Sequence, residues 1–167
     1  SAMELENSGG GESGQKVAVR LLEWDSRQVA PRGEILEVLG WPDEVGVDIR
    51  GIILRHGLRE EFPGEVLREA EQISSAADDE ASRGRVDWRE KVVITIDPAD
   101  ARDFDDAISV RRLAAGWELA VHIADVSHYV KPDTAIDHEA RKRGNSTYLV
   151  DRVLPMLPEQ LSNGICS

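Results

Sequence analysis

The sequence holds a single cysteine, Cys166, so no disulfide can form within the chain, and a reducing, cytoplasmic setting is expected. No apolar run approaches the roughly 20 residues needed to cross a bilayer, and no secretory hydrophobic segment follows the N-terminus. A membrane partner is therefore not expected. Basic residues are scarce: 20 Lys and Arg stand against 32 Asp and Glu, a formal net charge of -12. Such a surface is not one that grips phosphate backbones all over. It suits a site where clustered carboxylates are held together by a cation, although a charge excess is more often simply solvated surface. No Cys/His spacing points to zinc. Hydrophobic residues make up 41% of the chain, enough for a core, and the length allows one ordinary domain or two small ones.

What is present falls into zones without internal repeats. Ser1-Ala2-Met3 reads as a remnant of cloning ahead of a start methionine, and everything through Gly14 is Gly/Ser/Glu-rich. Alternation in Lys16 to Trp24 predicts a strand. Pro31-Arg32-Gly33 is a turn, Glu34 to Leu39 a second strand, and Gly40-Trp41-Pro42-Asp43 another turn. Val45 to Leu54 reads as a third strand or extended stretch. Short strands between Pro/Gly turns suit part of an OB or cold-shock barrel, with a plain β-meander as the alternative. Glu60 to Ile73 has helical spacing in Val66, Leu67, Ala70 and Ile73, with Pro63 where a first turn tolerates proline. Ser74 to Gly84 is polar and reads as a linker.

Farther along, Lys91 to Ile96 is β-branched and nearly continuously apolar, which predicts a strand buried on both faces and stopped by Asp97-Pro98. Ala107 to Arg111 and Trp117 to Val126, turning at Gly116, form a hairpin. Asp133 to Arg143 is a helix capped by Asp133 and ended by Gly144. The remainder is extended, with a short turn or helix near Glu159 to Leu161.

The chemistry-bearing feature is Asp97-Pro98-Ala99-Asp100-Ala101-Arg102-Asp103-Phe104-Asp105-Asp106. Asp97 ends a strand, and the other acids lie on a loop that returns beside it. In extended chain Asp103 and Asp105 share a side, while Asp105 and Asp106 point oppositely. Carboxylates so close repel and take up protons unless a cation neutralises them. Mg²⁺ takes oxygen ligands of this kind, and a pair of such ions can clamp both oxygens of a phosphoryl displacement. An EF-hand is excluded, because no Gly interrupts the loop. An aspartyl-phosphate phosphatase would need its Asp-x-Asp directly at the strand end, whereas Asp103-Phe104-Asp105 follows Asp100-Ala101-Arg102. Arg102 could offset charge or hold a phosphate.

Ile96 to Ala107 resembles the signature of the ribonuclease II / ribonuclease R family, the RNB catalytic domain. Further blocks resemble that family in the same order: His122-Ile123-Ala124-Asp125-Val126-Ser127-His128-Tyr129-Val130, Arg143-Gly144-Asn145-Ser146-Thr147-Tyr148-Leu149, and Leu154-Pro155-Met156-Leu157-Pro158-Glu159 with Leu161-Ser162-Asn163-Gly164-Ile165-Cys166-Ser167. Gly33 to Gly40, Val47-Asp48-Ile49 and Phe62-Pro63 resemble the second cold-shock domain and linker of ribonuclease R more than ribonuclease II. The fold so implied is α+β: a tag or flexible segment 1–14, a partial cold-shock (OB-like) barrel 15–57, a helical linker 58–84, and the N-terminal portion of a mixed α/β RNB domain 85–167.

The resemblance implies a processive 3′-to-5′ hydrolytic exoribonuclease that releases nucleoside 5′-monophosphates from single-stranded 3′ ends, with Mg²⁺ or, alternatively, Mn²⁺. Asp97, Asp103, Asp105 and Asp106 match the family's four active-site aspartates. Of these, Asp97 and Asp106 are expected as direct ligands. Tyr148 matches its base-stacking tyrosine, although by itself it would read as a packing residue. His122 and His128 are expected to be structural, and Asp125 either structural or supporting the site. The family's catalytic domain is about twice the length present here. The chain is thus expected to be a truncated or cleaved piece, or one part of a split enzyme completed by a separate chain, and inactive alone. The competing classes are a non-catalytic RNA-binding or scaffold protein and a purely structural cation site.

Overall fold

The structure, a computed structural model, describes residues 3–7, 9–22, 24, 28–80, 84–99, 101 and 104–166, without the side chains of 77–80. The chain divides into two compact units, 1–59 and 60–167.

In the first unit, β1 (Glu4–Leu5), β2 (Lys16–Leu21) and β3 (Arg32–Gly40) form one sheet in the order β1-β3-β2. β2 runs antiparallel to β3 from Lys16↔Gly40 to Leu21↔Gly33, with register shifts after Lys16 and Ala18. β1 lies parallel to β3, pairing Glu4 with Arg32 and Leu5 with Gly33. The segment through Gly14, expected to stand outside the fold, therefore contributes a short strand. Its register is held because Gly33 is small: a Cβ there would meet Val19 Cγ1 at 2.5 Å and Met3 Sδ at 2.6 Å.

The expected third strand is instead a helix, α1 (Val47–His56). Its β-branched residues suggested extension, but the flanks decide otherwise. Gly46 enters and Gly57 leaves in the left-handed region that favours glycine, at φ 91° and 60°. Asp48 in the first turn and Arg55 and His56 in the last complement the helix dipole. Val47 and Ile53 are buried. Arg50 holds Glu37 of β3 by two hydrogen bonds of 2.9 Å, which lowers the Glu37 pKa.

The second unit is built around α2 (Gly64–Glu80) and α4 (Ala135–Arg143). Pro63 stands just before α2, and its carbonyl accepts from Val66 N at 3.0 Å and Leu67 N at 3.2 Å. The helix runs through Ser74 to Glu80, which were expected to be linker. Once the apolar stripe Val66, Ala70, Ile73 docks the first turns, the helix propagates through Ser74-Ser75-Ala76-Ala77-Asp78-Asp79-Glu80, which holds no Gly or Pro to stop it. The core cluster joins Val66 and Ala70 to Ile136, Leu157, Leu161 and Cys166. Burial raises the Cys166 thiol pKa.

α4 starts differently from expectation. Thr134, not Asp133, is the cap: its Oγ1 accepts from Asp137 N at 3.3 Å. Asp133 sits at φ 65° and donates its N–H to Asp137 Oδ2 at 3.0 Å. Thr134 thus caps the first turn, while Asp137 reaches back to the residue before the cap. Gly144 ends the helix, its N–H reaching Ala140 O at 2.8 Å.

The hairpin β4 (Asp106–Leu113) and β5 (Gly116–Ile123) turns at Gly116, φ 118°, in an unbroken register from Asp106↔Ile123 to Leu113↔Gly116. A short helix α3 (Val126–Tyr129) follows. A second, smaller ladder pairs β6 (Thr147–Tyr148) with β7 (Val153–Leu154). The last helical segment, Leu161–Ile165, lies slightly beyond the expected position and is broken by non-helical backbone at Gly164. The Lys91 to Ile96 run departs most from expectation. It makes one bridge, Ile94↔Ile108, and its side chains are exposed, Val92 by 84% and Ile96 by 82%. Its composition asks for cover on both faces, and among the described residues no layer supplies it.

Candidate metal and RNA site

The Ile94↔Ile108 bridge organises the acidic run. The two residues exchange both backbone hydrogen bonds, each 2.9 Å. From that point the antiparallel direction carries Thr95, Ile96 and Asp97 toward the same end as Ala107, Asp106 and Asp105. Pro98 O accepts from Ala101 N at 3.0 Å, which starts the loop's return. Asp106 opens β4 opposite Ile123, and Asp105 O accepts from Ala124 N at 2.8 Å. Both backbones are therefore tied to β5 while both side chains remain exposed.

Asp97 is half-buried, and its Oδ2 is out of solvent with no hydrogen-bond partner among the described residues. Leaving a buried acceptor unmet costs about 1–3 kcal/mol, more for a charged group. A donor set of carboxylate oxygens with one orphaned atom fits a hard cation such as Mg²⁺. Asp103 lies outside the described residues, as do Asp100 and Arg102. Among the described residues, Asp97, Asp105 and Asp106 do not each bring an oxygen within 4.8 Å of the others.

The trio that meets that distance is Asp133, Asp137 and His138. Its geometry is already explained by the start of α4. Asp137 accepts from Arg141 Nε at 3.1 and 3.0 Å and from Asp133 N, and the Arg141 guanidinium holds its pKa down.

Three further side chains are accounted for by their contacts. Asp125, just past β5, accepts from Arg85 Nη2 at 2.7 Å and Ser127 Oγ at 2.9 Å, and Arg85 is the main cause of its lowered pKa. The pair ties residue 85 to the end of the hairpin. His122 Nε2 lies 3.0 Å from Ser109 Oγ, with its ring edge-on to Trp88 at 5.3 Å. His128 packs edge-on to Tyr129 at 4.9 Å. Tyr148 is 69% exposed on β6.

One residue was not singled out from the sequence. Arg143 Nε donates to Glu139 Oε1 at 3.0 Å, with side chains only 4% and 3% exposed. A signal existed: Ile136, Glu139, Ala140 and Arg143 share one helical stripe, which places two charges on the core face.

The RNB domain family matches residues 85–167, and a cold shock domain family matches 3–63. The chain belongs to the RNB family. Ribonuclease R of Thermotoga maritima is 50% identical over 165 residues, covering 97% of this chain and 23% of that protein. The chain thus spans about a quarter of this curated relative. Two structures of Mycoplasma genitalium RNase R, with double-stranded RNA and with ribose methylated single-stranded RNA, each superpose at a TM-score of 0.84 with 33% identity. They cover 99% of this RNB chain and 30% and 26% of theirs. A yeast pseudonuclease shares the fold at a TM-score of 0.68 and 16% identity, covering 96% of this chain and 22% of that one.

Proposed function

We propose that this chain supplies the metal-binding part of a Mg²⁺-dependent exoribonuclease that hydrolyses RNA processively from its 3′ end to nucleoside 5′-monophosphates. The observation that carries this reading is the buried Asp97 Oδ2, without a hydrogen-bond partner among the described residues, at the end of the bridge that also directs Asp105 and Asp106. Asp97 and Asp106 would hold the cation directly. Asp103 and Asp105 would complete its oxygen set or orient the attacking water. Mn²⁺ would serve the same ligands. A bound Mg²⁺ polarises a phosphoryl oxygen and acidifies a water. The Ile94↔Ile108 bridge and the β4–β5 ladder keep the strand ends that carry the carboxylates in register. Tyr148, exposed on β6, would stack on the terminal base, a sequence-tolerant way of holding a single strand. The site works in the cytoplasm, with RNA as partner. The remainder of the catalytic domain, in the same polypeptide or a separate chain, completes it, and this chain alone releases no mononucleotides.

The test has two arms. Calorimetric Mg²⁺ titration of the chain and of Asp97→Asn should show a site that the variant loses; unchanged binding removes the metal reading. In a polypeptide of the relatives' full length, Asp105→Asn should retain RNA and lose cleavage by orders of magnitude. Unimpaired cleavage would favour the non-catalytic, RNA-binding alternative for these residues.

A further inference from the structure

The β6–β7 ladder that carries Tyr148 has only two paired residues per strand, Thr147↔Leu154 and Tyr148↔Val153. An isolated two-stranded hairpin is marginal in water even when longer. It would not by itself hold an exposed aromatic plane in one place. The structure supplies two anchors at its base.

The first is Arg143. Its guanidinium is buried over the Phe62 ring, 3.7 Å from the centroid, and makes its ion pair with Glu139. Its Nη1 donates to Pro155 O at 3.1 Å, and its Nη2 to Glu61 O at 2.7 Å. Pro155 directly follows β7, and Arg143 itself lies four residues before Thr147. One rigid, planar group therefore fixes both legs of the hairpin to α4 and to residues 61–62. The second anchor is Ser146, whose Oγ accepts from Met156 N at 3.0 Å, across the same base. At the far end, Leu149 N reaches Arg152 O at 2.8 Å. Leu154 is buried while its neighbour across the pleat, Tyr148, faces outward.

We infer that Arg143 and Ser146 are positioning residues for Tyr148: they hold the β6–β7 hairpin so that its tyrosine meets the 3′-terminal base of RNA already oriented. This rests on the reading of Tyr148 as a base-stacking residue. Orienting a side chain in advance lowers the ordering cost of binding. Its loss therefore weakens only contacts made through that side chain.

The experiment compares two RNAs of equal length, one natural and one whose 3′-terminal nucleotide lacks its base. Binding is measured in EDTA, so that no cleavage occurs, with the chain carried in a polypeptide of its relatives' full length. Tyr148→Ala should lose roughly tenfold on the natural RNA and nothing on the abasic one. Arg143→Lys keeps the charge beside Glu139 but cannot span both carbonyls. It should lose several-fold on the natural RNA alone, as should Ser146→Ala, and neither should add to Tyr148→Ala. Equal losses on both RNAs, or full additivity with Tyr148→Ala, would mean that Arg143 and Ser146 serve general stability, and would overturn the inference. A base-dependent loss in Tyr148→Ala with none in Ser146→Ala or Arg143→Lys also overturns it. No base-dependent loss in Tyr148→Ala removes the stacking reading itself. If Arg143→Lys melts too low to assay, Ser146→Ala decides alone.

Discussion

Glu139→Leu isolates the Arg143 ion pair. Both side chains are more than nine-tenths buried, 3.0 Å apart, and sit on the face of α4 that packs into the core. Removing the carboxylate takes the Glu139 counter-charge from a guanidinium held out of water against two carbonyls and an aromatic ring. Breaking a buried pair by taking one partner costs about 3–5 kcal/mol, because the remaining charge is uncompensated. Against the 5–15 kcal/mol typical of a whole domain, that is a large share. Glu139→Gln keeps an acceptor for Arg143 Nε and should fall between wild type and Glu139→Leu. The double change Glu139→Leu with Arg143→Met removes both charges and should recover much of the loss, since an apolar pair of similar volume is often tolerated. Urea unfolding followed by circular dichroism measures all four proteins. Glu118→Ala is the contrast: its pair with Arg111, 2.9 Å apart, lies on the exposed hairpin, and its loss should not be detectable. Glu139→Leu within 1 kcal/mol of wild type, or a double variant no better than it, would refute the reasoning.

Other outcomes follow from single contacts. Leu161 is fully buried in the cluster with Val66, Ala70 and Ile136, so Leu161→Ala should cost about 2–5 kcal/mol in the same unfolding assay. Asp125 has its folded pKa lowered chiefly by Arg85. The stability it contributes is therefore present above the ordinary carboxylate range and lost as pH falls through the lowered value. Arg85→Ala should flatten that acid dependence without changing stability trends above pH 6; an unchanged acid profile would contradict the assignment.

Where the sequence pattern and the structure agree, a local rule and the tertiary environment pull the same way. β2 and β3 are legible because their apolar and β-branched runs are bounded by Pro/Gly turns, and the hairpin because Gly116 permits the turn between two strand-like runs. α4 was legible through its stripe and Gly144, but its cap was misplaced by one residue: Asp133 and Thr134 are both good caps, and the backbone at Asp133 is left-handed. α1 was missed because Ile and Val weigh toward strand, although Gly46, Gly57 and the charges of Asp48, Arg55 and His56 mark a helix. The polar continuation of α2 buries little, so hydrophobic periodicity could not reveal it. In the acidic site, Asp97, Asp105 and Asp106 stood out by spacing. The bridge that aligns them pairs residues 14 positions apart and follows from no local rule. Arg143 went unremarked because a charge inside a core becomes intelligible only once Glu139, Phe62 and Pro155 surround it.

The β4–β5 hairpin has a colloidal consequence. Leu119, Val121 and Ile123 recur at every second position of β5 and are each more than 60% exposed, and Val92 and Ile96, on the run that bridges the other edge of β4, are uncovered as well. Apolar strand surface of this kind is adhesive toward other copies. The chain's charge of -12 opposes that adhesion. The opposing force is long-ranged only in dilute salt. At about 0.15 M it is screened within about 8 Å, close to the distance over which apolar faces meet. Ionic strength thus governs whether this chain stays dispersed, with low salt keeping copies apart and high salt letting the hairpins find one another.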